Sequence, residues 1–264
     1  MEEKFRIVLC IKPIKSELVT QEKTTDQDVF QMNPFDLGAL EVLVDKRKTQ
    51  EDFILTCLCM GDKRTESMLR RALAMGADEA ILVSDRAFTG SDTVATSYIL
   101  ERAMKQIENV KLIVCGLNTI DGETGQVPQA LAERLEIRHI VKGHDIENVD
   151  ANKLVFKDKD STTEKLLKVA LPAIMKFTDF KVGIPSISLL AMKKAKNKEI
   201  ITLDKEAIQA DENRCGLAGS KTQVLEIKNR IAKKEKTLLE GDECEIARSV
   251  SSLLGIAIKE RTSI

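Results

Sequence analysis

Two stretches combine glycines with hydroxyl, amide and carboxylate side chains in a spacing that could hold a phosphate. One is Asp85-Arg86-Ala87-Phe88-Thr89-Gly90-Ser91-Asp92-Thr93; the other is Gly116-Leu117-Asn118-Thr119-Ile120-Asp121-Gly122-Glu123-Thr124-Gly125-Gln126. Each follows a short apolar run and precedes a helical pattern. Each therefore sets backbone N–H groups at a helix start, where those donors and the helix dipole favour an anion. The competing reading is a pair of well-capped turns, in which Ser91, Asp92 and Thr93 contribute ~1 kcal/mol as caps. Two further loops, Cys10-Ile11-Lys12-Pro13 and Cys59-Met60-Gly61-Asp62, follow apolar runs of the same kind. The candidate ligand residues are thus Cys10, Lys12, Cys59, Met60, Gly61, Phe88, Thr89, Gly90, Asp92, Thr93, Thr96, Gly116, Asp121, Gly122, Glu123, Thr124, Gly125 and Gln126.

The same loops exclude other chemistry. Neither is a GxxxxGK[ST] phosphate loop, and the chain has no strict GxGxxG, so ATP hydrolysis and an ordinary NAD fingerprint lose support. It has no HExxH and no Ser/His/acid constellation. Cysteines 10, 57, 59, 115, 215 and 244 form no CxxC, and with only His139 and His144 beside them a zinc site has little basis. They are expected to be reduced, acting as small buried hydrophobes. With no Trp and the single Tyr98, a ring-shaped ligand would find few stacking partners. The pattern suits binding of an adenine nucleotide better than hydrolysis.

The elements that must position these loops follow from periodicity. Residues 6–11, 53–59, 80–83 and 112–115 are unbroken apolar runs, as in strands buried on both faces of a parallel sheet. Helical patterns fill 35–48, 64–75, 92–107 and 126–135; in the third, Leu100, Met104 and Ile107 make one stripe. Alternation of this kind implies right-handed crossovers and a doubly wound, mostly parallel α/β sheet of Rossmann-like, adenine-nucleotide-binding type. Ligands then sit beyond the carboxyl ends of the strands, near the switch point. Residues 153–156 and 166–170 flank a polar tip at 158–164, an inserted β-hairpin, and 171–175 supply one more core strand. From about residue 183 the alternation fades. The expected division is an α/β nucleotide-binding domain over 1–205 and an extended C-terminal arm over 206–264. The arm ends in a helix, 243–258, with Ile246, Val250, Leu253, Leu254 and Ala257 on one face.

Bulk composition agrees. The chain has 264 residues, 43% hydrophobic and 31% charged, and a formal charge of -1, which gives no basic footprint for nucleic acid. No apolar run approaches the ~20 residues of a membrane span. The N-terminus runs from Met1-Glu2-Glu3-Lys4-Phe5 into a strand-like segment without a signal pattern, so the expected location is the cytoplasm.

At five places the chain resembles the beta subunit of electron-transfer flavoproteins. These are Val8-Leu9-Cys10-Ile11-Lys12-Pro13, Met32-Asn33-Pro34-Phe35-Asp36, Ala72-Leu73-Ala74-Met75-Gly76-Ala77-Asp78, Ile120-Asp121-Gly122-Glu123-Thr124-Gly125-Gln126, and Pro185-Ser186-Ile187 followed by Ala191-Met192-Lys193-Lys194-Ala195-Lys196. The resemblance adds Asn33 and Asp36 to the ligand residues. It implies a heterodimer with an alpha subunit that carries an electron-shuttling FAD, the beta chain supplying a second nucleotide site. That site holds AMP in simple carriers and, in the electron-bifurcating branch, a second FAD that accepts a hydride from NADH. The segment 84–97 is similar to the bifurcating version. The implied partners are a flavin-dependent dehydrogenase of acyl-CoA or hydroxy-acid type and ferredoxin or flavodoxin as low-potential acceptor. Segment 184–198 matches the dehydrogenase recognition segment, which points to Ile187, Leu189, Leu190, Lys193 and Lys194 as docking residues. The chain departs from the family at Ile14-Lys15, where a Val-Pro-Asp type turn is common, and at Ile187-Ser188, where Leu-Pro is usual. A non-redox nucleotide-binding module on the same sheet remains the alternative of another class.

Overall fold

The computed structural model describes residues 4–15, 30–181, 186–223 and 238–254. Seven strands form one wholly parallel sheet. In chain order they are β1 (Phe5–Ile11), β4 (Phe53–Met60), β5 (Glu79–Val83), β6 (Val110–Gly116), β7 (His139–Gly143), β11 (Ala173–Phe177) and β12 (Ile201–Leu203). Across the sheet the order is β12-β5-β4-β1-β6-β11-β7. The chain steps outward from β1 through β4 to β5 and returns to β6 on β1's other side, so the switch point lies between β1 and β6.

Alternation along β1 sends Ile7, Leu9 and Ile11 to one face of the sheet and Val8 and Cys10 to the other. The first face is covered by α1 (Pro34–Thr49), α2 (Glu66–Met75) and an antiparallel sheet in the order β10 (Glu164–Ala170), β9 (Lys153–Lys159), β8 (Asp145–Val149). The second is covered by α3 (Thr93–Met104) and α4 (Val127–Arg134). α1 starts at Pro34, whose missing donor costs nothing there, and Lys46, Arg47 and Lys48 in its last turn complement the helix dipole.

The doubly wound sheet and its first four strands and helices follow the sequence reading to within a few residues. The expected hairpin is present as β9 (Lys153–Lys159) paired with β10 (Glu164–Ala170). A third strand, β8 (Asp145–Val149), extends it; Ile146 and Val149 join the core beneath α1. The core strand expected at 171–175 begins at Ala173. The ribbon of β2 (Pro13–Lys15) with β3 (Phe30–Met32), and the strands β7 and β12, had no clear pattern in the sequence.

The expected boundary at residue 205 moves to 223: one compact unit spans Met1–Gln223 and the other Val224–Ile264. Residues 206–223 stay with the sheet because Ile208 and Cys215 are buried in its second core face. Arg102 Nε also donates to the Ile208 carbonyl at 3.1 Å, and the Asp211 N–H donates to the Tyr98 hydroxyl at 2.8 Å. Further helices among the described residues of the first unit are α5 (Leu189–Lys196) and α6 (Gly216–Gly219).

In the second unit α7 (Glu243–Leu254) begins with a reciprocal cap. The Glu245 N–H donates to Asp242 Oδ1, and the Asp242 N–H donates to Glu245 Oε2. Ile246, Val250 and Leu253 of the expected stripe are exposed; Ala257 lies outside the described residues. No helix among the described residues is long and apolar enough to cross a membrane.

Candidate functional site

The loops after β1, β4, β5 and β6 converge on one cavity of about 830 Å³ at the switch point. Of the expected ligand residues, Cys10, Lys12, Asp36, Met60, Gly61, Phe88, Thr89, Gly90, Asp92, Thr93, Thr96, Gly116, Gly122, Thr124, Gly125 and Gln126 line it. Four do not. Cys59 faces the opposite side of the sheet, because residues alternate along β4, and its thiol meets the Thr65 hydroxyl at 3.8 Å. Asn33 is buried behind the wall and donates to the Asn118 carbonyl at 2.9 Å. Asp121 pairs with Lys12 (2.7 Å), and Glu123 takes a positive φ of 51° in the turn between them and Gly125.

Asp36 ties the wall together. Its carboxyl accepts the Lys12 N–H at 2.8 Å and the Gly116 N–H at 2.9 Å, so one side chain fixes the loops after β1 and β6. Burial pushes its pKa up to about 7, against the pull of those hydrogen bonds and of Asn33. A Cβ on Gly116 would lie 2.5 Å from Asp36 Oδ1, which accounts for glycine there. Asp121 is drawn upward by burial, but the Lys12 ammonium and Thr119 outweigh it and hold its pKa below the usual range.

Cys10 and Cys115 are direct register partners on β1 and β6. The neighbouring Cys10 thiol, and burial, push Cys115 well above the ordinary thiol value, which favours its neutral form. All six cysteines are free, but Cys244 is exposed and so departs from the expected burial.

The two phosphate-type loops differ. At the start of α3, Asp92 Oδ1 accepts the Val94 and Ala95 N–H groups. Its other oxygen accepts the Lys221 and Thr222 N–H groups and the Thr222 hydroxyl. Burial raises the Asp92 pKa, but these backbone donors outweigh it and keep the carboxyl ionised. Asp92 thus engages the Val94 and Ala95 donors at the start of α3, whereas the Gly90 and Thr93 N–H groups donate to no protein acceptor among the described residues.

α4 has no side-chain cap. Among the described residues the N–H groups of Thr124, Gly125 and Gln126, just before it, donate to no protein acceptor. Gly125 holds φ +55°, and a Cβ there would lie 2.5 Å from Asn118 Oδ1 and 3.0 Å from the Leu117 carbonyl oxygen. The arrangement suits a phosphate set against backbone donors.

Further lining residues were not among the expected ligand residues, Arg86, Asn118 and Pro128 among them. Arg86 is exposed at the rim with no acidic partner among the described residues. Its place in the 85–93 loop was the available signal.

The recognition segment is divided. Leu189 and Leu190 are 89% and 63% exposed, and Lys193 and Lys194 are exposed beside them. Ile187 is half-buried in a groove with Glu41, Val44 and Met75, and Lys198 donates to the Ala77 carbonyl at 2.9 Å. Residues 182–185 lie outside the described residues. Arg70 of α2 anchors α5 by donating to the carbonyls of Ala195 (2.8 Å), Lys196 and Lys198.

The electron transfer flavoprotein domain matches residues 23–208. The electron transfer flavoprotein subunit beta of Megasphaera elsdenii is 34% identical over 239 residues, covering 84% of this chain and 87% of that protein. The caffeyl-CoA reductase-Etf complex subunit CarD of Acetobacterium woodii is 34% identical over 229 residues, 83% and 86% of the two chains. Protein FixA of Azorhizobium caulinodans is 31% identical over 248 residues, 89% and 88% of the two chains.

Proposed function

The chain belongs to the electron transfer flavoprotein family, among the relatives of its beta subunit, and from that premise we propose that it is the small subunit of a heterodimeric electron carrier whose switch-point cavity takes a second FAD. The observation that carries the reading is the row of N–H donors at residues 124–126, without protein acceptors among the described residues, on the wall of a cavity of about 830 Å³. That volume lies near the top of the roughly 300–1,000 Å³ range of small-molecule sites, which favours a dinucleotide over a mononucleotide.

When bound there, the flavin would accept a hydride from NADH and pass its electrons on in two directions, to the alpha-subunit FAD and to a partner flavin dehydrogenase. The chain's own residues do the holding. The 124–126 donors and the uncapped end of α4 offer the phosphate position, and Asp36 keeps the β1 and β6 loops in register. Phe88, Met60 and Leu100 form the apolar wall.

The similarity to a subunit of a caffeyl-CoA reductase-Etf complex supports a partner of acyl-CoA type. Leu189 and Leu190, beside Lys193 and Lys194, form the docking surface for it, and ferredoxin or flavodoxin serves as low-potential acceptor. The protein acts in the cytoplasm. One observation favours the second reading, AMP as a structural ligand: among the described residues Phe88 is the only aromatic side chain lining the cavity.

Anaerobic NADH titration of the purified heterodimer tests the proposal. Bleaching of flavin absorbance without any dehydrogenase present is expected. An NADH-inert heterodimer, reduced only through a dehydrogenase, favours AMP.

A further inference from the structure

Lys176, on β11, carries a half-buried ammonium that meets no carboxylate among the described residues. Burying part of an ammonium has a desolvation cost, so its partners matter. Its face of the sheet is the one beneath α4, since Ile174, two residues earlier, packs in the same core. Its Nζ reaches the Gly125 carbonyl oxygen at 3.3 Å. With the Gln129 amide oriented so that both its ends are satisfied, the Gln129 nitrogen donates to the same carbonyl at 2.7 Å. The Gln129 oxygen then accepts from Lys176 Nζ at 2.8 Å. Two donors therefore hold one peptide oxygen toward the sheet.

The peptide unit is planar and trans, so the N–H of Gln126 points away from the Gly125 carbonyl. Drawing that carbonyl down toward the sheet turns the N–H outward, on the side where Gln126 lines the cavity. The positive φ of Gly125 permits this orientation, and the Gln126 N–H has no protein acceptor among the described residues. The ammonium also adds a positive charge near the positive end of α4's dipole.

We propose that Lys176 is a positioning residue for a phosphate-bearing ligand: through Gly125 and Gln129 it aims the Gln126 N–H into the cavity and biases the site toward anions. The inference rests on the reading that the cavity takes a nucleotide. It adds a residue from the sheet interior that belongs to no phosphate loop.

The test uses the full-length chain, stripped of bound nucleotide, with ADP and adenosine as calorimetric probes. Lys176→Met should weaken ADP binding by about 10- to 100-fold, the size of one charge-assisted contact, and leave adenosine within about twofold. Lys176→Arg should recover most of the ADP affinity. Gln129→Leu, which removes the relay without touching the sheet interior, should weaken ADP in the same direction by less. Unchanged ADP affinity in both Lys176→Met and Gln129→Leu overturns the proposal. So does an equal loss of ADP and adenosine, which would mean a structural role.

Gly125→Val separates this inference from the reading beneath it. If Gly125→Val binds ADP like the wild type, or if the wild type binds neither probe, the nucleotide reading itself falls. If Gly125→Val abolishes ADP binding while Lys176→Met does not weaken it, Lys176 alone is misassigned.

Discussion

Gly125 is the residue on which the site depends most, because its backbone angle and its closeness to Asn118 both exclude a larger side chain. Gly125→Val should abolish co-purification of nucleotide, read by chromatography of the acid extract, while the far-ultraviolet spectrum stays that of the wild type. Asp36 makes a different prediction. Asp36→Ala strands the Lys12 and Gly116 N–H groups and should cost about 2–4 kcal/mol in urea unfolding. The folded chain also binds the Asp36 proton more tightly than the unfolded chain does. Its contribution is therefore complete below pH 3.8, falls as pH rises, and is gone above about 7. The stability difference between wild type and Asp36→Asn, followed across that window, should decline with pH; a flat difference would count against it. At this scale glycine and hydroxyl content made the 116–126 loop legible in the sequence. It could not separate that loop from 85–93, because which oxygen fills a helix start depends on distant chain: Asp92 is held by Lys221 and Thr222. Lys176 was invisible for a related reason, a lysine in a strand having no motif to mark it.

Among the elements, α5 and α7 carry apolar surface that their own units leave uncovered. Leu189→Ala combined with Leu190→Ala removes side chains that support little of the fold, so unfolding stability should move by no more than about 0.5 kcal/mol. Electron transfer to the dehydrogenase should slow by about tenfold, as expected for a small apolar anchor flanked by steering lysines. Loss of nucleotide or of fold in that variant would mean the docking surface lies elsewhere. Truncation after residue 235 removes α7 and should weaken assembly with the alpha subunit while the first unit still melts cooperatively; assembly at full affinity would refute a docking role for the helix. The strands and helices up to residue 135 were legible because buried parallel strands and amphipathic helices leave separate periodicities. β7 and β12 were not: they are edge strands, partly exposed, and Ile140 and Ile201 face solvent where a core strand would hide them. Residues 206–223 read as an arm because their attachment, through Ile208, Asp211 and Cys215, is made one residue at a time.

For the molecule as a whole, a parallel sheet with its switch point between β1 and β6, four loops around one cavity and a helix start with open donors support the proposed nucleotide-holding role. Catalytic side chains would add little to that proposed role, which needs position, and Asp36 fixes the loops after β1 and β6 relative to each other. The family was legible from motifs such as Asp121-Gly122-Glu123-Thr124-Gly125-Gln126 taken together. The choice between FAD and AMP was not, because both present the same adenosine phosphate to the same backbone donors. Nucleotide counting on the purified heterodimer decides it. Acid release followed by chromatographic quantification should yield two FAD per heterodimer and no AMP; one FAD with one AMP would contradict the account.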